Sequence, residues 1–379
     1  MIARIVRVAR AKTSHIAALE QEVAMNAKSA ISFCRYFAFV LALLSHLFFS
    51  ATRAAAQSEL FYKDKTIRVI VGFTPGGFYD RWARLLSRYM PKYIPGNPNF
   101  VVQNMPGASS VIAANYVYNL AKSDGLTVLV PINSLFLDQI AGRKEVKFDI
   151  RKFEWIGTQE KAPTMLYFRA DSPFKTVADI IKATEPPKCG STGTASTGYL
   201  VAKLMDEAFK AKINTVTGYQ GGSEIDVAVE RGEIVCRGMD IPPHFGREPF
   251  ESWHKKGFDR HILQGGPKRD PRLADTPTLF ELMDQYKTPE VMRGVTRIVL
   301  AGGEFGRPMV VGPGTPPDRV KILRDAYAKA MRDPGLIEEA KKGQMDMEHT
   351  PGEELQNLMK ELMNQPRDVV ERVKKVLTD

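Results

Sequence analysis

Residues 67–90 constrain the fold more than any other stretch. Ile67-Arg68-Val69-Ile70-Val71 is an apolar, β-branched run that reads as a buried strand, and it breaks at Pro75-Gly76-Gly77. Beyond the break, Trp82, Ala83, Leu85, Leu86, Tyr89 and Met90 recur at helical spacing, with Arg81, Arg84 and Arg88 between them. The stretch is therefore a strand, a glycine turn and a helix. In an open α/β sheet such a turn lies at the carboxyl end of its strand, where ligands bind. Two glycines admit a close backbone approach, and the N–H groups at the helix start favour an anion. A tight turn with no ligand is equally compatible with these residues.

The same grammar continues down the chain. Phe100–Asn104 reads as a second strand, ending at Met105-Pro106-Gly107-Ala108-Ser109-Ser110. A helix over about Val111–Lys122 and a third strand at Leu126–Val130 follow, the latter ending at Pro131-Ile132-Asn133-Ser134. A βαβαβ order implies a parallel sheet with right-handed crossovers. Phe153–Gly157 and Thr164–Phe168 read as extended crossing segments, and Thr176 as the N-cap of a helix. A second α/β unit runs from Lys188 through the hydroxyl-rich loop Ser191–Thr197, a helix over Tyr199–Phe209, strands at Asn214–Tyr219 and Glu233–Asp240, and His261–Gln264. Repeated grammar without repeated sequence suggests two similar lobes facing each other. Towards the C-terminus, Arg297–Leu300 and Met309–Gly312 read as extended. Helices are predicted over Asp318–Met331, Gly335–Lys342, and Pro351 to about Leu362, continuing to Leu377.

Charge is informative mainly through its distribution. The formal net charge is +10, but residues 1–56 hold seven Lys and Arg against two Glu, a net of +5, which leaves +5 for the remaining 323 residues. The bulk charge is thus poor support for nucleic-acid binding. Lys28 and Arg35 precede an apolar run from Tyr36 to Phe49, and Ala54-Ala55-Ala56 closes it as a small-x-small cleavage site. Residues 1–56 accordingly read as a signal peptide, too short in its apolar core to span a bilayer comfortably. A start at Met25 would give a leader of ordinary length. Of three cysteines, Cys34 lies in this leader, and Cys189 and Cys236 fall in apparent strands. Two cysteines do not make a disulfide scaffold, and buried free thiols are the commoner state.

Several chemistries lack their residues. No phosphate-loop motif, HExxH helix or GxSxG elbow occurs, and Gly190-Ser191-Thr192-Gly193 lacks the elbow's spacing. His244, His254, His261 and His349 match no zinc spacing, so no metal and no cofactor are expected. Asp80 has no partner with which to act as an acid–base pair and reads better as a helix cap or ligand contact. Phe78 and Tyr79 could line a cavity or pack.

Taken in order, the motifs resemble the periplasmic solute-binding proteins of the tripartite tricarboxylate transporters, the Bug family. The residues carrying the resemblance are Pro75-Gly76-Gly77-Phe78-Tyr79-Asp80 with Ala83-Arg84, Asn104-Met105-Pro106-Gly107-Ala108, Asp124-Gly125-Leu126-Thr127, Gly190-Ser191 with Gly193, Tyr219 with Gly221, Asp275-Thr276-Pro277-Thr278, and Pro313-Gly314-Thr315-Pro316. They span nearly all of residues 59–375. Three departures lie where the ligand belongs: Ser109-Ser110 replace two glycines, Met239-Asp240 replaces Phe-Asp, and Phe78-Tyr79 are bulkier than the usual residues.

The resemblance implies an α/β, two-lobed periplasmic-binding-protein-like fold of type II, each lobe a mainly parallel sheet flanked by helices. Residues 57–160 plus 300–379 would form one lobe and 161–299 the other, with a hinge near 160 and 300. It implies a monomeric, non-enzymatic periplasmic receptor. This receptor would close on a small organic carboxylate (a di- or tricarboxylate or an aromatic acid) and hand it to integral membrane transporter subunits, without nucleic acid. The alternatives are a doubly wound enzyme such as a hydrolase, or a ligand sensor for a membrane-bound kinase. The implied ligand set is Thr74, Gly76, Gly77, Phe78, Tyr79, Asp80, Asn133, Ser191, Thr192, Thr194, Ser196, Tyr219 and Asp240. In the family topology the strands of Cys189 and Cys236 are neighbours. An oxidising compartment would permit a bridge there, although adjacent parallel strands are awkward for one.

Overall fold

The structure is a computed structural model that describes residues 61–378. The expected signal peptide, with Met25 and Cys34, lies outside the described residues. Eleven strands form two sheets: β1 Thr66–Val71, β2 Asn99–Asn104, β3 Thr127–Val130, β4 Glu154–Thr158, β10 Met309–Val311 and β11 Thr350–Pro351 in one, and β5 Thr164–Arg169, β6 Lys188–Gly190, β7 Asn214–Val216, β8 Cys236–Asp240 and β9 Asp259–Gln264 in the other. The first has the order β11-β4-β10-β3-β1-β2 and the second β7-β6-β8-β5-β9.

β1 sits between β2 and β3, parallel to both. Covered on both faces, it needs apolar residues at successive positions rather than alternating ones, and Ile67, Val69, Ile70 and Val71 are all buried. Helices Phe78–Tyr89 and Val111–Asn119 supply the crossovers, with Trp82, Leu85, Leu86, Ala113, Ala114 and Val117 turned into the core. Both sheets are mixed. β10 runs antiparallel to β3 and β4, and β5 runs antiparallel to β8 and β9, while β6 is parallel to β7 and β8. The parallel pairs follow the βαβ grammar. The antiparallel ones are long-range insertions that no local pattern announces.

Local signals placed several ends well. Thr176 accepts from the Asp179 N–H in a capping box with Asp179, and Thr278 and Glu281 form a second. Pro317 and Asp318 occupy the first turn of the helix Pro317–Ala330.

Two expectations about secondary structure fail. Arg297–Leu300 is not extended but ends an eleven-residue helix, Glu290–Leu300, whose Met292, Val295, Thr296, Ile298 and Val299 are buried. A four-residue apolar run fits either state, and here the longer 3.6-residue period decides it. The C-terminal helix also does not run through to Leu377. Asn364, Gln365 and Pro366 separate Gly352–Met363 from Arg367–Thr378, as a proline would demand. Among the described residues, no helix is long and apolar enough to cross a membrane.

Cys189 and Cys236 are bonded, not free thiols. They are register partners on β6 and β8 with Cα atoms 4.5 Å apart, inside the range a bridge requires.

Candidate functional site

The turn after β1 is built by a buried carboxylate. Gly72 abuts the β2 loop so closely that a Cβ would lie 2.2 Å from Ser110 Oγ, and Gly76 adopts φ +81°. Asp80, in the first turn of helix Phe78–Tyr89, reaches back over the turn. Its Oδ2 accepts from the Gly76 N–H and Arg84 Nε, each at 2.9 Å, and its Oδ1 accepts from Asn104 Nδ2 at 2.9 Å. The same Asn104 amide donates to the Phe73 carbonyl at 2.9 Å. Burial works against the charged carboxyl, but Arg84, the Gly76 N–H and Asn104 outweigh it and hold Asp80 below the usual carboxylate range. Asp80 and the Gly76 N–H are thus consumed in fastening the turn. Neither borders the cavity described next. Among the described residues, neither the Gly77 nor the Phe78 N–H finds a partner, and both residues do border it.

The loop between β6 and helix Thr197–Phe209 carries four hydroxyls, which are used unequally. Ser191 Oγ donates to the Gly193 carbonyl at 2.9 Å and also meets Ser196 Oγ. Thr192 Oγ1 lies 2.9 Å from Ser109 Oγ, and Thr194 donates to Asp138 Oδ1 at 2.6 Å. Ser134 Oγ donates to the Ala195 carbonyl. These last three contacts join the segments that follow β2 and β3, among them helix Leu135–Ile140, to a loop of the second sheet. Ala108, Ser109 and Ser110 all have positive φ, at 45°, 48° and 75°, a conformation that costs a non-glycine residue about 1–3 kcal/mol. Ser109 thus reaches Thr192 from a strained backbone at a position where the resembling family carries glycine.

A cavity of about 90 Å³ lies where the two turns meet. Of the expected ligand set, Thr74, Gly77, Phe78, Tyr79, Ser191, Thr192, Ser196 and Asp240 line it. Thr194 does not, because its hydroxyl turns to Asp138. Tyr219 does not either, and packs beside the Met165–Met239 cluster. Asn133 borders a separate cavity of about 870 Å³, whose wall includes Lys161, Gln264, Arg269, Arg272 and Arg297. Its N–H meets Tyr79 Oη at 3.3 Å.

Three arginines in the wall of the smaller cavity were not anticipated: Arg237, Arg247 and Arg307. Arg237 and Arg247 both pair with buried Asp226. Arg307, 2% exposed, pairs with Glu160 and donates to Asp240 Oδ2 at 3.2 Å. Its guanidinium lies over the Phe78 and Tyr79 rings at 4.7 and 4.9 Å. The two aromatics therefore both line the cavity and pack. Burial pushes Glu160 up to about 7 although Arg307 opposes it, and pushes Asp240 upward against the same arginine. A charge interrupting the apolar strand at Arg237 was a usable sign of a polar site. Gly306-Arg307-Pro308 offered none.

The comparisons agree with this architecture. A family model described as "Tripartite tricarboxylate transporter family receptor" matches residues 83–374. A curated relative, the UPF0065 protein in the tcbD-tcbE intergenic region of Pseudomonas sp. (strain P51), is 29% identical over 301 residues, covering 77% of this chain and 81% of the relative. Periplasmic binding protein BugD superposes with a TM-score of 0.65 at 21% identity, covering 83% of this chain and 98% of that one. MatC from Rhodopseudomonas palustris with bound malate gives 0.63 at 20% identity, covering 83% and 99%. At these identities the superpositions establish a shared fold.

Proposed function

The chain belongs to the tripartite tricarboxylate transporter receptor family, and from that premise we propose that it captures a small organic carboxylate and delivers it to membrane transporter subunits. The observation that carries this reading is the meeting of two helix starts at one small cavity. Helices Phe78–Tyr89 and Thr197–Phe209 both begin there, the first with N–H groups of Gly77 and Phe78 to spare. Helix starts favour negative charge. The cavity is small beside the roughly 300–1,000 Å³ of drug-sized pockets, which suits a compact acid such as the malate held by the R. palustris relative.

In this reading the carboxylate is held by backbone N–H groups and by the hydroxyls of Thr74, Ser191, Thr192 and Ser196. Arg237, Arg247 and Arg307 supply a positive wall whose charge Asp226, Asp240 and Glu160 largely offset. Phe78 and Tyr79 narrow the space. Residues 57–160 with 300–379, and 161–299, act as the two closing lobes of a monomer, hinged near 160 and 300. No residue is assigned a catalytic role.

A thermal-shift screen of mono-, di- and tricarboxylates and aromatic acids tests this. A true ligand at 100 times its Kd stabilises by about 2.7 kcal/mol, so one dicarboxylate class should raise Tm by several degrees. Stabilisation by sugars or neutral amino acids, with none from any acid, would reject the reading.

The protein is also proposed to be exported to the periplasm, with cleavage near Ala56. Mass spectrometry of secreted material should give an N-terminus close to Gln57. An intact apolar segment retained in membranes would contradict it.

A further inference from the structure

Three imidazoles and one carboxylate that the carboxylate reading leaves unused converge at the β9 edge of the second sheet. His244 lies in helix Ile241–Phe245 and His254 in helix Phe250–Lys256. Asp259 and His261 are on β9, two residues apart and so on one face of the strand. His244 Nε2 is 2.8 Å from His261 Nε2, 3.0 Å from His254 Nε2 and 2.8 Å from Asp259 Oδ2. Oδ2 in turn lies 3.3 and 3.4 Å from the Nε2 atoms of His254 and His261. All four atoms fall within 4.8 Å of one another. Four donors at about 2.0–2.2 Å from a tetrahedral zinc are spaced by roughly 3.3–3.5 Å, close to what these side chains already show.

Hydrogen bonding alone does not satisfy the cluster. A neutral imidazole Nε2 either donates or accepts, so the three short contacts at His244 Nε2 cannot all be hydrogen bonds. Asp259 Oδ2 is buried and makes no well-aligned hydrogen bond, despite lying within 2.8 Å of His244 Nε2.

We propose that His244, His254, Asp259 and His261 form a tetrahedral site for a divalent d-block cation of the zinc type. The donor set selects the ion: imidazole suits zinc, copper and nickel, whereas calcium and magnesium demand oxygen. Four protein donors complete the tetrahedron and leave no position for a reacting water, so the role is structural. Rings of Tyr167, Phe245 and Phe250 enclose His244 at 5.1, 5.3 and 4.5 Å. His254 and His261 keep 26% and 20% of their side chains exposed, which marks the entry side. His244 Nδ1 is buried without a partner, so aromatic packing rather than an outer hydrogen bond orients that ring. The ion would tie helices Ile241–Phe245 and Phe250–Lys256 to the edge strand β9. The first of these helices follows Asp240 directly and carries Pro243, and both residues line the small cavity.

The test uses the tag-free full chain, stripped with EDTA and loaded with Zn²⁺ or Co²⁺. Elemental analysis after gel filtration should find one equivalent of zinc per chain, and Co²⁺ should show the intense visible bands of a tetrahedral site. Excess Mg²⁺ should displace neither. His254→Gln and His261→Gln, both at part-exposed positions, should retain the far-ultraviolet circular dichroism of the parent and lose the cobalt bands. A wild-type chain that retains no zinc and shows no tetrahedral cobalt spectrum would overturn the proposal, whatever the variants do. Folded variants with unchanged bands would overturn it as well.

Discussion

Replacing Arg307 by Ala is expected to lower the stability of the fold by about 3–5 kcal/mol, the usual cost of breaking a buried ion pair from one side. Arg307 is fully enclosed, and its loss leaves Glu160 and Asp240 buried without a cation while removing the surface against which Phe78 and Tyr79 pack. The effect should depend on pH with a definite sign. Burial raises Glu160 from its ordinary 4.5 to about 7, so the folded state holds a proton that the unfolded state has released. Glu160 therefore contributes a stability that is lost as pH climbs from 4.5 through 7. Without Arg307 the carboxyl is more reluctant still to ionise. The penalty of Arg307→Ala is then largest above pH 7 and shrinks towards pH 5, where Glu160 can stay protonated. Urea denaturation of both proteins at pH 5 and pH 8 checks this. Equal midpoints at pH 8 would show that the arginine contributes no net stability.

The second large effect belongs to the disulfide. Cys189 and Cys236 close a loop with a sequence separation of 47, and the chain-entropy relation assigns such a loop about 4 kcal/mol. The bridge joins the strands that lead directly into Ser191 on one side and Asp240 on the other. The double substitution Cys189→Ala/Cys236→Ala should cost stability of that order and should also loosen the second wall of the cavity. Thiol counting on unfolded, unreduced protein should give none from this pair. Denaturation midpoints that coincide with and without reductant would contradict the bridge.

What could be read from the residues follows a physical division. The strand at Ile67–Val71, its glycine turn and the helix beyond are encoded by neighbours within about a dozen residues, so periodicity and turn chemistry describe them well. The Thr176 capping box is equally local. Arg297–Leu300 was misread because four apolar residues in isolation carry no period, whereas the helix to which they belong begins at Glu290. Polar groups that meet across the fold are a different matter. Arg307 and Glu160 are 147 residues apart, and nothing around Gly306-Arg307-Pro308 marks the arginine as buried. Thr194 has the composition of a ligand-holding hydroxyl, yet its bond goes to Asp138, which only the packing of helix Leu135–Ile140 against the loop brings near. The three histidines and Asp259 share no spacing because two helices and a strand supply them. Asp80 lies between these cases. Its return to the Gly76 N–H is a local cap, while its bond to Asn104 depends on β2 lying beside β1.

The most direct measurement is calorimetric titration of the wild-type protein and Gly77→Val with whichever carboxylate the thermal-shift screen selects. Gly77 has φ −70°, which any L-residue accepts, and a Cβ there would meet only the Thr74 carbonyl oxygen at 3.7 Å. The variant should therefore fold with an unchanged melting temperature in the absence of ligand, while its branched side chain obstructs the backbone approach to the cavity. The account predicts one carboxylate bound per wild-type chain and no measurable heat of binding for Gly77→Val. Near-normal affinity in the folded variant would mean that the turn is only a structural link and that the ligand sits elsewhere.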